Sequence, residues 1–416
     1  MGTQRKTSLD ADVVVVGGGP AGGCMAAILG DAGLSVICID QDDPAKTLKD
    51  SFDGRTTAIS FGSRRVIEAA RAWKTLAPQA CPIEDIKIME SGSATLLEFL
   101  ARDVGEEAFG WIVENRLLRL SLYDRLQHLK AVRHVTAAKV ADYTLSDDAV
   151  TTVTADGQSF RSALVIGADG RNSFTRGWMG IDTRGWDYHQ RAVVCVVTHE
   201  NPHNNIAVED FRAEGPFAIL PMLDDDRGNH RSSIVWTEHG ANKNSAGAWD
   251  DETFMAALNE RFPASYGHVQ AAGKRFSYPL GLVHAHSYVG PRMALVADAA
   301  HGIHPIAGQG LNLGLRDIAA LSELLIKAHN KKQDIGSDEL LAAYQRARRF
   351  DNMTMAAATD TLNKLFSNNV TPLRLLRKAG LRVVQHVAPA RKFFMRQAMG
   401  AGGMLPALVR DGKFKS

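Results

Sequence analysis

The stretch DVVVVGGGPAGGCMAAILGDAGLSVICID, residues 12–40, constrains the fold more than any other. A run of valines leads into Gly17-x-Gly19-x-x-Gly22. An apolar, helix-like segment follows, and a second apolar run ends on the acid Asp40. Strand, tight turn, helix and acid-terminated strand make a dinucleotide-binding βαβ unit. Gly17 permits the turn, Gly19 lets a pyrophosphate reach the backbone, and Gly22 lets helix and strand pack closely. The helix start at Pro20 and Ala21 offers free amides and a partial positive charge. Asp40 can accept from the two ribose hydroxyls. The motif alone leaves FAD and NAD as open alternatives.

Two later stretches narrow the choice. ALVIGADGRNSFTR, residues 163–176, places Asp169 and Gly170 directly after a strand, with Arg171 and Arg176 nearby. This is an acid and a flexible glycine at a ligand-facing strand end, although the dipeptide also makes ordinary turns. MALVADAAHGIHPIAGQGLNLGLRD, residues 293–317, ends a strand on Asp298 and feeds Gly308, Gln309, Gly310, Leu311 and Asn312 into a helix. A second helix start can receive polar or anionic groups. A flavin makes both demands: its ribityl hydroxyls want an acid, and its reduced ring carries negative charge near N1.

His301 and His304, with His284 and His286, have spacings that can chelate. No patterned carboxylate accompanies them, so they read as capping or site-lining histidines, and no metal is expected. Cys24, Cys38, Cys81 and Cys195 are widely spaced and form no CxxC, which fits a reducing compartment.

The composition is that of a soluble globular chain, 45% hydrophobic and 23% charged over 416 residues. A formal charge of +2 gives no footprint of nucleic-acid binding. The polar start MGTQRKTSLD lacks an apolar signal core, and no apolar run is long enough to span a bilayer.

The pattern predicts an α/β fold: a Rossmann-like FAD-binding domain with an inserted, mainly antiparallel β-sheet substrate domain and a C-terminal helical segment. Strands are expected over 34–40, 150–154, 162–166, 191–198, 216–222 and 232–237, and helices over 116–129, 318–328 and 340–361. The expected partition is 1–75, 105–180 and 285–345 for the cofactor domain, 76–104 and 181–284 for the β-rich domain, and 346–416 for the helical region.

Taken together, the glycine fingerprint, the Asp-Gly motif and ADAAHGIHPIAGQGLNLGLRD resemble the class A flavoprotein aromatic hydroxylases, whose fold is that of p-hydroxybenzoate hydroxylase. DGRTTAIS (53–60), GWIVEN (110–115), AVEDFRAEGPFAILPM with SSIVWTE, and ARKFFMRQAMGAGGMLP narrow the resemblance to the ubiquinone-biosynthesis FAD hydroxylase family. The resemblance spans about residues 11 to 406. Two positions depart from the family pattern: Ala297 stands where glycine is usual, bringing a methyl to a tight cofactor contact, and Asp40 replaces the commoner glutamate.

The resemblance implies bound FAD, with NAD(P)H and O2 as co-substrates, and hydroxylation of a polyprenylated phenol through a flavin C4a-hydroperoxide. It implies that Arg55 touches the flavin and helps nicotinamide exchange, that Asn115 contacts FAD, and that Pro305 lines the substrate side of the ring. His301 and His304 are the titratable candidates there. The alternatives are a flavoprotein reductase or hydroxylase of another substrate, and a non-catalytic FAD-binding subunit of a quinone-biosynthesis complex. A membrane-resident substrate gives the basic, apolar C-terminal segment a purpose. Arg374, Arg377, Lys378 and Arg382 alternate with leucines, and Arg391, Lys392 and Arg396 flank Phe393 and Phe394. The expectation is a cytoplasmic protein, peripheral on the inner face of the membrane or bound to other quinone-biosynthesis proteins. A C-terminal helix packed on the core accounts for the same pattern.

Overall fold

A computed structural model describes residues 8–47, 55–91, 95–212, 214–240, 245–271, 273–303, 308–366, 380, 384–403 and 405–414. Two expected site positions, His304 and Pro305, lie outside the described residues. So do Arg374, Arg377, Lys378 and Arg382.

The valine run forms the strand Ala11–Val16 at the centre of the first sheet. It pairs in parallel with Val36–Ile39 on one side and Ser159–Gly167 on the other. Val132–Val135 and Met293–Leu295 extend the parallel set outward. The central strands are buried on both faces, which is why they read as continuous apolar runs. The pairing register aligns Val16 with Ile39 and Gly167, and Gly167 with Leu295. The loops after these strands, at 17–19, 40, 168–170 and 296–298, therefore emerge along one carboxyl edge, where open α/β sheets bind ligands. The hairpin Val140–Leu145 and Val150–Thr154 adds to this sheet antiparallel to Ser159–Gly167.

The helix Pro20–Asp31 is buried on nearly every side rather than amphipathic, as befits an element packed between layers. It lies against the helices Asn115–Gln127 and Gln309–Asn330.

Among the described residues the second sheet has nine strands. Thr183–His199 pairs antiparallel with both Phe276–Ala285 and His230–His239, and Gly215–Met222 and Ile206–Arg212 continue outward to Asp85–Glu90 and Leu97–Leu100. Period-two alternation divides its faces. Val193, Cys195, Phe217, Ile219, Ile234 and Trp236 pack against Phe254 and Leu258 of the helix Asp251–Asn259. The intervening residues, among them Ala192, Val194, Ala218 and Val235, face a cavity. A three-stranded sheet of Thr56–Ser60, Gly110–Glu114 and Cys81–Ile83 bridges the two parts.

Two elements run further than the sequence pattern implied. The helix start expected at 311–312 and the helix expected over 318–328 are one element, which begins at Gln309 directly after Gly308 and runs to Asn330. The helix Asp338–Phe366 passes unbroken through residue 346, so the expected boundary there falls inside one element.

Candidate cofactor and substrate site

The glycine turn is built as its residue types require. Gly17 has φ of +104°, and a Cβ there would lie 2.4 Å from the Ala168 carbonyl oxygen. A Cβ on Gly22 would lie 1.9 Å from the Gly17 oxygen, so helix and turn touch backbone to backbone. Gly19 has no protein atom within 4 Å of its would-be Cβ and faces open space. Gly19 caps the helix without a side-chain bond, Pro20 opens it, and its first turn carries no acid. The first amides are thus available to an anion.

Gly18 escaped the sequence reading. A Cβ there would come within 2.4 Å of Asp40 Oδ2, so the absent side chain is what lets Asp40 sit against the turn. Asp40 is buried. Its Oδ1 accepts from the Asp42 amide at 3.1 Å, and its Oδ2 has no hydrogen-bond partner among the described residues. Burial raises its pKa, with the Asp42 amide and Arg119 acting against that. A buried carboxylate oxygen without a partner is costly, and a ribose hydroxyl would satisfy it.

At the second strand end, the Asp169 carboxylate accepts from Ser173 Oγ at 2.5 Å and from the Thr175 amide and hydroxyl at 2.9 Å. It organises the helix Phe174–Trp178, while Gly170, at φ of +79°, turns the chain. Arg176 donates to the Ala299 and Arg171 carbonyl oxygens, tying this turn to the Asp298 loop.

Asp298 opens into the cavity from the third strand end. Desolvation raises its pKa, while His301 and Arg171 oppose the rise. Ala297 takes the left-handed conformation, φ +52°, that glycine usually fills. Its methyl points toward the helix Gln309–Asn330 at Gly314, where an added Cβ would lie only 2.6 Å away. The extra methyl is therefore absorbed by Gly314 and does not line the cavity.

Gly308, at φ of +61°, starts that helix with no side-chain cap and no acid in the first turn. Gly310 has no protein atom within 4 Å of a would-be Cβ. Asn312 fixes the turn: its Oδ1 accepts from the Ser60 amide at 3.0 Å, and its Nδ2 donates to the Ala58 and Gly308 oxygens at 2.9 Å. Gln309 and Leu311 line the same cavity, as do Arg55 and Asn115. Asn115 Oδ1 accepts a close hydrogen bond from Thr57 Oγ1. The sequence positions 55, 115, 298 and 308–312 thus line one cavity.

His301 is buried and donates from Nε2 to Asp317, so it belongs to the protein interior. His284 bonds the Tyr288 hydroxyl through Nε2 at 2.9 Å. Among the described residues, no group of three His, Cys, Asp or Glu side chains is arranged to hold a metal ion.

The cavity measures about 1330 Å³. It runs from the polar wall past Ile83, Ile88, Leu97, Phe99 and Phe211 to Phe350, Phe393 and Phe394. The last three are solvent-exposed. A single drug-sized ligand fills roughly 300–1,000 Å³, so the space admits a flavin ring and a second, largely apolar molecule together.

These residues fit a FAD. The unpartnered Asp40 oxygen, the open face of Gly19 and the uncapped helix start at Pro20 suit its adenosine and pyrophosphate. Asp298 and the uncapped helix start at Gln309 suit its ribityl and ring.

Comparison with known proteins agrees. The FAD binding domain family matches residues 10–359. The ubiquinone hydroxylase UbiL of Rhodospirillum rubrum is 43% identical, covering 96% of this chain and 92% of the relative. The 3-demethoxyubiquinol 3-hydroxylase of Escherichia coli is 33% identical, covering 95% of this chain and 100% of the relative. The solved structure of p-nitrophenol 4-monooxygenase from Pseudomonas putida shares the fold, with a TM-score of 0.78 at 20% identity over 94% of this chain and 98% of that one.

Proposed function

Because this chain belongs to the ubiquinone-hydroxylase family of FAD-dependent aromatic-ring monooxygenases, we propose that its substrate is a polyprenylated phenol on the route to ubiquinone. The observation that carries the reading is the single cavity joining the polar cofactor wall to a long apolar chamber. A phenol ring can lie against the cofactor wall while its prenyl chain follows the apolar lining outward.

When bound, FAD supplies the redox chemistry, taking two electrons from NAD(P)H and passing them to O2 so that one oxygen atom reaches the substrate ring. The protein binds, orients and keeps dry. Asp40 and the turn at Gly17, Gly19, Pro20, Ala21 and Gly22 hold the adenosine and pyrophosphate. The Asp298 carboxylate would accept from ribityl hydroxyls. The amides at the start of Gln309–Asn330 would hold the ring, with Arg55 and Asn115 lining the same cavity. Asp169 and Gly170 shape the loop between these halves. The chamber's apolar walls exclude the water that would divert the reaction.

No helix among the described residues is long and apolar enough to cross a membrane. The reading extends to peripheral attachment. Phe350, Met353, Val387, Phe393 and Phe394 are exposed, and Lys392 and Arg396 lie exposed beside them. Phe350, Phe393 and Phe394 also line the cavity, so a prenyl chain leaving the chamber meets this patch. Apolar side chains flanked by cations suit an anionic bilayer.

Deletion of the gene in its host tests the substrate. The expected result is accumulation of a prenylated phenol one oxygen atom short of its normal successor. An unchanged quinone profile contradicts the reading.

A further inference from the structure

The chamber floor carries one carboxyl group that the cofactor site does not use. Glu209 lies on the strand Ile206–Arg212 and lines the cavity, while Asp210, the next residue, does not. Register places Glu209 opposite Ala218, Ala218 opposite Val235, and Val235 opposite Val194, which together form one cross-strand row. Apart from Glu209 the row is small and apolar, leaving room for a flat ring.

Two residues along, Ser233 bonds Thr56 Oγ1 through its hydroxyl at 2.8 Å. Thr56 adjoins Arg55, so the cofactor wall is fastened to the sheet one side-chain step from this row. Strand spacings put Glu209 on the order of 10 Å from that fastening, with the Ala218–Val235 floor between.

We propose that Glu209 is the catalytic residue that accepts the substrate's phenolic proton, which rests on the hydroxylase reading above. The phenol O–H bond breaks, its proton passes to a carboxylate oxygen of Glu209, and the electron pair stays on the ring oxygen. That raises electron density at the ring carbons ortho and para to it, where an electrophilic oxygen is received. The rest balances as in the family's reaction: ring C–H becomes C–OH, NAD(P)H is oxidised to NAD(P)+, and the second oxygen atom leaves as water with one added proton.

The surroundings suit a base for neutral pH. Among the described residues, no hydrogen bond or ion pair engages the Glu209 carboxyl. The flanking strands place only Ile88 and Ala218 beside it. Asp210 lies on the opposite face, held by Arg212 at 2.7 Å. Across the chamber Asp351 is bound by Arg348 at 2.7 Å, and Arg55, Arg171 and Asp298 stand at the cofactor end. Burial, and then the charge of Asp210, raises the Glu209 pKa to about 7. A general base works best when its pKa lies near the working pH.

The test uses the FAD-loaded full-length chain with 2-prenylphenol as probe. Difference absorbance of the bound phenol and product formation are both followed against pH. In the wild type, phenolate absorbance and kcat rise together with a midpoint near 7. Glu209→Gln keeps FAD and the shape of the side chain, loses this inflection, and lowers kcat about 100-fold or more. A bound probe that stays un-ionised in the wild type overturns the proposal. So does a Glu209→Gln kcat within about fivefold of wild type, the worth of one neutral hydrogen bond. If the wild type ionises the probe yet yields no hydroxylated product, the reaction reading fails and the base assignment fails with it. Product formation without dependence on Glu209 sinks this proposal alone.

Discussion

His301 donates from Nε2 to Asp317 Oδ2 across 2.5 Å, and both side chains are buried. The other Asp317 oxygen accepts from Arg348 Nε at 2.9 Å and Asn352 Nδ2 at 3.0 Å, and Oδ2 also takes the Ala297 amide at 3.1 Å. One carboxylate thus joins the long helix Asp338–Phe366 to the loop that presents Asp298. Burial by itself raises its pKa, but His301 and Arg348 overcome this and hold it well below the usual carboxylate range.

Asp317→Asn leaves the Arg348 guanidinium buried with less compensation and weakens the acceptor that His301 uses. Removing one member of a buried ion pair typically costs about 3–5 kcal/mol. Denaturant unfolding of the variant is expected to show a loss of that order. FAD titration is expected to show weaker binding, since the Asp298 loop loses its anchor. Wild-type stability in the variant would remove Asp317 from this role.

Little of this network is legible in the sequence. Asp317 and Arg348 stand on different helices, and nothing in local spacing pairs them. Glu209 reads as one of several charges in AVEDFRAE until the sheet shows which side of the strand it faces. By contrast the 12–40 unit declares itself, because turn, helix start and acid are neighbours along the chain and each demands a particular residue type. The same holds for 298–312. Gly18 was in plain view but carried no signal, since its constraint comes from Asp40, reached only after the next strand.

Gly19 and Gly18 separate cofactor contact from folding. Gly19→Ala meets no protein atom within 4 Å, so the apo protein is expected to melt as wild type while FAD affinity drops at least about tenfold, the methyl occupying the pyrophosphate's place. Gly18→Ala collides with Asp40 and is expected to lower both stability and affinity. Unchanged FAD binding in Gly19→Ala contradicts the assignment of that turn.

His284 gives a pH dependence. Burial, then the charges of His301 and Arg349, moves its pKa from 6.5 to about 4. Between those values the unfolded chain binds a proton that the folded chain refuses, so unfolding free energy falls as pH falls through that window. His284→Gln is expected to flatten this part of the stability profile. An unaltered slope would show that other groups set it.

The exposed phenylalanines test attachment. Phe393→Glu with Phe394→Glu is expected to reduce sedimentation with anionic phosphatidylglycerol vesicles, and to leave FAD content unchanged. Equal vesicle binding by wild type and variant contradicts a lipid-facing patch.

The most direct measurement of the central claim is isotope transfer. The FAD-loaded protein is supplied with NAD(P)H, a polyprenylated phenol and 18O2, and the product is weighed by mass spectrometry. The account expects one labelled oxygen on the aromatic ring. Ring oxygen drawn from water, or a phenol returned unchanged while NAD(P)H is consumed, would contradict it.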